Sequence, residues 1–256
     1  MAPRSPAPEP LRTASEVAAA VDAAGDDEAA RFAQRFFKTG PGEYGEGDVF
    51  AGVRMPVVRA LARRAGALPL DEATRLLESS VHEHRLAALV VMVERYKTAS
   101  RPRTRDDATR DELHHRYLDA VHAGRVNNWD LVDVSAEWLV GDWLLGPPPH
   151  ARDVLDELAA SSSLWERRVA MLSTFAFTKA GDPGPAFTYA QRLLGDREDL
   201  MHKAVGWMLR EVGKRVGPDT LRAFLADHAA RMPRTALSYS TEHLSADERA
   251  RFRALR

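Results

Sequence analysis

The segment Asn127-Asn128-Trp129-Asp130-Leu131-Val132-Asp133 places a tryptophan and a carboxylate four residues apart. On a helix, two such side chains share a face. A carboxylate beside an indole is costly in a core. In a groove the pair has a use: the indole packs on a sugar or base, and the carboxylate stabilises a developing cation or holds a water. The structural alternative has Asn127 or Asn128 capping a helix, Asp130 favouring its dipole and Trp129 in the core, which is where a lone tryptophan belongs more often. Asp133 lies in the second turn, where capping does not account for it. Lys203 and Trp207 are also four apart, so a cation and an aromatic share a face. Arg167 and Arg168 are neighbours and point in different directions. One is solvated or paired with Glu166; the other lines a face with Arg85 and Lys203. Cations and rings in one groove suit a phosphate backbone with sugars or bases against the rings. Core packing of Trp207 remains open.

Other chemistry finds less support. Gly40-Pro41-Gly42-Glu43-Tyr44-Gly45 has the G-x-G-x-x-G spacing of a dinucleotide loop. That loop works between a strand and a helix N-terminus. Here the lead-in is helical in pattern, Pro41 removes one N–H, and Glu46 and Asp48 stand where a phosphate needs donors. His82-Glu83-His84 lacks a second histidine four residues on, and His114-His115 face different ways, so no metal site is expected. No G-x-S-x-G elbow and no cysteine occur, which excludes that serine nucleophile, thiolate metal sites and disulfides. No cofactor is expected.

The elements that must position these residues read as helices almost throughout. Apolar residues recur at three- and four-residue intervals among Ala, Leu, Arg and Glu. The pattern predicts helices over 14–23, 27–37, 56–66, 70–79, 81–98, 105–123, 129–144, 149–160, 164–180, 184–195, 198–215, 218–231 and 246–254. Start signals are Ser15 before Glu16, Pro56 in a first turn, and Ser245 with Glu248 as a capping box. An all-α fold follows. Glu83-His84-Arg85-Leu86-Ala87-Ala88-Leu89 resembles Glu166-Arg167-Arg168-Val169-Ala170-Met171-Leu172, and Lys203-Ala204-Val205-Gly206-Trp207 is a looser copy. Spacings near 40 residues in a helical chain suggest HEAT- or armadillo-like helix pairs, with matching positions pointing into one groove. Chance resemblance between helices is the alternative.

The chain has 256 residues, 45% of them hydrophobic, with 36 basic and 37 acidic residues. A core of domain size is affordable. Residues 1–12 are proline-rich and expected to be a disordered tail, and 13–256 a single helical domain. No signal peptide or long apolar run is present, so a soluble cytoplasmic protein without membrane partners is expected. Residues 1–30 hold two basic and six acidic residues, leaving a net +3 on the rest. That balance argues little for nucleic acid, which needs a local basic face.

Four segments together resemble a known family. They are Phe50-Ala51-Gly52-Val53-Arg54-Met55-Pro56, Asn128-Trp129-Asp130-Leu131-Val132-Asp133, Trp165-Glu166-Arg167-Arg168-Val169-Ala170 and Lys203-Ala204-Val205-Gly206-Trp207-Met208-Leu209-Arg210-Glu211. They look like the DNA alkylation repair proteins of the AlkD type, in order, over about residues 30 to 240. The resemblance implies a right-handed α-solenoid of HEAT-like repeats with a concave face for duplex DNA. It implies a monomeric, monofunctional glycosylase that releases N3- and N7-alkylated purines in base excision repair, without a deep base pocket. It puts the catalytic carboxylate on Asp133, groove tryptophans on Trp129 and Trp207, a phosphate contact on Arg168 and a DNA-proximal residue on Arg54. Arg85 and Lys203 complete the expected DNA-binding set. The loop 39–48 departs from the family by its length and adds acid near the expected DNA face. The rival expectation is a non-catalytic HEAT-like module that binds DNA structures or protein.

Overall fold

A computed structural model describes residues 9–146 and 152–255. Residues 1–8 of the expected tail, and the start of the helix expected at 149, lie outside the described residues. The described residues are all-helical, with no strand beyond one isolated parallel bridge between Val49 and Val81. The chain divides into two compact units, Met1–Ser135 and Ala136–Arg256.

Unit 1 holds α1 (Ala14–Asp22), α2 (Asp27–Phe36), α3 (Met55–Arg64), α4 (Leu70–Leu77), α5 (His82–Ala99), α6 (Asp107–His122) and all but the last residue of α7 (Trp129–Ala136). At its centre is α5, which packs on α1, α3, α4 and α6. Every residue from His82 to Val93 is buried, so this helix is apolar around most of its circumference rather than along one stripe. Thr13, not Ser15, starts α1: it forms a capping box with Glu16. Residues 9–12 already pack on the unit. Leu11 is buried and its N–H donates to Arg64 O. By contrast α2 buries none of its residues, although Phe32 and Phe36 sit four apart on it.

Unit 2 opens with a π-helical segment, Glu137–Asp142, that continues directly from α7. It is followed by α8 (Asp153–Ala160), α9 (Leu164–Lys179), α10 (Gly184–Leu193), α11 (Asp199–Arg215), α12 (Pro218–His228), a 3-10 turn Ala229–Arg231, α13 (Arg234–Ser240) and α14 (Ala246–Ala254). The expected helix over 129–144 is therefore broken by the wider π turn, and α13 was not anticipated. Two long helices, α9 and α11, make the core with the π segment, α8, α10, α12 and α13 packed round them. Glycine permits two of these close approaches. A Cβ on Gly141 would fall 2.1 Å from Ser173 O, and one on Gly206 would fall 2.6 Å from Ala236 O and from Tyr239 Cβ. The expected Ser245–Glu248 capping box starts α14.

Candidate functional site

The first turn of α5 organises unit 1 through three successive polar residues. Glu83 accepts hydrogen bonds from three backbone N–H groups, Ala51 and Gly52 at 2.8 Å and Val53 at 3.1 Å. One buried carboxylate thus holds the chain that enters α3 and fixes where Arg54, its exposed N-cap residue, emerges. Gly52 makes this possible: its φ is +79°, and a Cβ there would lie 2.2 Å from Asp26 O. His84 bonds to Ser79 at 2.9 Å and to Asp22 at 3.0 Å.

His82 lies between two carboxylates, Nδ1 3.1 Å from Asp48 and Nε2 2.8 Å from Asp130. Burial alone would depress its pKa, but the hydrogen bonds and charges of Asp130 and Asp48 outweigh it and raise the value to about 9. The imidazole is therefore a cation at neutral pH. Asp48 is itself buried, which opposes its ionisation, yet His82, Arg85 and Asn128 hold its pKa below the ordinary value. Three elements meet here: the loop 39–48 through Asp48, α5 through His82 and Arg85, and α7 through Asp130. Asn128 joins them. Its amide donates to Asp48 at 3.0 Å and its oxygen accepts the Trp129 N–H at 2.9 Å.

Trp129 and Asp133 follow on α7, both half-buried. Trp129 stacks on Phe37, ring centroids 5.1 Å apart and planes 10° apart, with Phe36 edge-on at 6.2 Å. The stack continues from Phe37 to Phe50 at 4.8 Å and from Phe50 to His82 at 4.5 Å. Beside this column lies an open cleft of about 1100 Å³ within unit 1. Its walls include Phe32, Phe37, Phe50, Trp129 and Asp130, with Arg54 also in its lining. Asp133 lies near the buried phenol of Tyr117, whose pKa is raised by burial and further by the Asp133 charge.

In unit 2, Trp207 is half-buried on α11, its ring 6.4 Å from Phe175. Lys203, four residues before it, pairs with Asp199 at 2.9 Å. Arg168 on α9 is buried, and its Nη1 donates to Leu200 O at 2.7 Å. Its neighbour Arg167 donates to Asp196 at 2.6 Å.

The repeat pattern predicts Arg85 on an open face for phosphate. The structure corrects this. Arg85 is buried and donates to Asp48, to Ser79 O at 2.8 Å and to Asn127 at 3.1 Å. The charge of Asp48, in the loop expected to add acid near the DNA face, is used internally against Arg85 and His82. Arg85 and Arg168 are alike in that both are buried and both donate to a main-chain carbonyl. Among the described residues no group of three or more His, Asp or Glu is placed to hold a metal ion. No helix there is long and apolar enough to cross a membrane.

Comparison with known proteins agrees with this helical chain. The model of a family described as DNA alkylation repair enzyme matches residues 17–244. The chain belongs to the DNA alkylation repair enzyme family, and with it to the repair of alkylation damage in DNA. Among solved structures, a predicted DNA alkylation repair enzyme from Enterococcus faecalis is similar, with a TM-score of 0.65 at 15% identity. The likeness covers 87% of this chain and 97% of that one, and at that identity it speaks for the fold alone. A search of curated proteins by sequence gave no match.

Proposed function

We propose that this protein is a monofunctional DNA glycosylase of the AlkD type that releases positively charged N3- and N7-alkylated purines from duplex DNA. The observation that carries the reading is the placement of Trp129 and Asp133 on one face of α7, in a chain of an alkylation repair family. An N-alkylated purine is already cationic, so it leaves without much general-acid help. The C1′–N9 bond breaks and its electron pair passes to the base, which departs neutral. The sugar takes on oxocarbenium character. The Asp133 carboxylate stabilises that cation and orients the water that attacks C1′, and the water's proton passes to the carboxylate or to solvent. Trp129 packs on the nucleotide and Trp207 offers an aromatic face to the DNA, each ring face favouring positive charge. Arg54 and Lys203 contact the DNA backbone. Arg54 is the better disposed of the two, since it is exposed and held at its place by the Glu83 anchor. The reaction uses no metal and no cofactor, the protein acts as a monomer, and it works on DNA in the cytoplasm.

The test is release of 7-methylguanine from methylated duplex DNA by the wild type and by Asp133→Asn. Loss of release in the variant with DNA binding kept supports the reading. A second reading, a HEAT-like module that binds DNA or protein without chemistry, draws on the buried state of Arg85 and Arg168 and the pairing of Lys203. Under that reading neither protein releases base.

A further inference from the structure

A second cavity of unit 1, of about 550 Å³, lies further along two helices that border the cleft. The cleft meets α3 and α5 near their N-terminal ends, at Met55 and at Leu86. The second cavity meets them at Arg59, Ala62 and Arg63 and at Val90, Val91, Glu94 and Arg95. The two share no lining residue. A volume of that size is in the range of small-molecule sites, about 300–1,000 Å³.

Its charge is one-sided. Arg59 and Arg63 are four apart on one face of α3, are exposed, and have no hydrogen-bond or ion-pair partner among the described residues. Arg95 is half-buried and donates one Nη1 hydrogen to Leu68 O at 3.2 Å, which holds its guanidinium in place and leaves its other N–H donors open. The one carboxylate of the lining, Glu94, pairs with Lys97 at 3.1 Å. Three guanidiniums thus line the cavity with no anion to match them. The field at a helix C-terminus accounts for Arg63, in the last turn of α3. It does not account for Arg59, one turn earlier, or for Arg95 on another helix. The rest of the lining is largely small and apolar, with Ala62, Ala67, Val90 and Val91. A DNA backbone meets protruding cations along a convex rod and has nothing to place against a recess of alanine and valine. A bare inorganic anion leaves that surface uncovered, and an apolar peptide leaves three charges unmatched. A compact molecule with an apolar body and two or more negative charges on phosphate matches both, since the planar guanidinium fork fits phosphate oxygens in pairs.

We propose that this cavity binds a small organic phosphate of at least two negative charges, its phosphate groups on Arg59, Arg63 and Arg95 and its body against Ala62, Val90 and Val91. The ligand is a free molecule rather than damaged DNA. None of the groups assigned above to DNA or to base release takes part, so the site stands or falls apart from the glycosylase reading.

The test titrates the full-length protein with ATP, adenosine and inorganic pyrophosphate by calorimetry, at physiological salt and without divalent cations. ATP saturates the protein with a Kd of about 100 μM or tighter. Adenosine, which lacks the charges, and pyrophosphate, which lacks the body, each bind at least about tenfold weaker. Arg59→Ala with Arg63→Ala, at exposed positions, keeps the fold and weakens ATP by about tenfold or more. Glu94→Gln removes the carboxylate of the lining and tightens ATP by about twofold or more. Arg54→Ala, at the cleft, leaves ATP binding as it is. No saturation up to about 10 mM, indifference to the double variant, or a loss in Arg54→Ala equal to that in the double variant overturns the proposal. Pyrophosphate that binds as tightly as ATP also overturns it, because the apolar lining then plays no part. An undamaged labelled duplex decides the other source of phosphate. The double variant binds it as the wild type does, with the same salt dependence. A drop in duplex affinity in the double variant, together with displacement of ATP by the duplex, overturns the proposal and assigns the arginines to the DNA backbone.

Discussion

His82 is a buried cation because Asp48 and Asp130 flank it, and that single proton ties three segments of unit 1 together. Its folded pKa of about 9 stands above the ordinary value of 6.5. The stabilisation is thus fully present below pH 6.5, declines as pH rises, and is gone above about pH 9. Urea unfolding followed across that window falls by up to a few kcal/mol in the wild type. In His82→Gln that fall is absent, because no imidazolium is left to lose. Glu83→Ala tests the neighbouring anchor. Three backbone N–H groups lose a buried charged acceptor, which costs on the order of 3 kcal/mol in urea unfolding. An effect within experimental error contradicts the anchor. The Trp129–Asp133 pair was legible in the sequence because four-residue spacing on a helix is a local matter. The partners of His82 were not, since Asp48 and Asp130 are 34 and 48 residues away.

At the scale of elements, close approach explains two glycines. Gly52 combines a positive φ with a backbone neighbour where a Cβ would sit. Gly52→Ala therefore destabilises unit 1 by about 2 kcal/mol or more, seen as a lower urea midpoint. Gly206→Ala forces α11 away from α13 and costs about 1–3 kcal/mol by the same measure. Neither change meets its neighbours through a flexible side-chain end, so neither relaxes cheaply. Most helices were legible from their periodicity and from local signals such as the Ser245 capping box. The π turn at Glu137–Asp142 was not, because its residues keep a helical apolar pattern while the backbone hydrogen bonds widen. The seven-residue α13 lies below the length at which periodicity speaks, and it has no side-chain cap. On α2 the four-residue spacing of Phe32 and Phe36 was visible, but their exposure was not.

For the whole molecule, the net charge of -1 means that DNA binding rests on a few placed cations rather than on bulk attraction. With Arg54 and Lys203 on phosphates, the slope of log affinity against log salt is about −2, and Arg54→Ala reduces its magnitude by about one. Fluorescence anisotropy with a labelled duplex over a salt series measures both, and an unchanged slope removes Arg54 from the contact. The family and its all-helical character were legible from four dispersed motifs, whereas the division into two units at Ser135 was not, because the boundary falls inside α7 and leaves no break in the sequence pattern. The central claim is tested most directly by incubating the wild type and Asp133→Asn with methylated duplex DNA and measuring the free 7-methylguanine. The wild type releases it, and the variant, still bound to DNA, is slower by about a hundredfold or more, as expected when a carboxylate stabilises the developing cation. Release by Asp133→Asn at the wild-type rate, or none by the wild type, contradicts it.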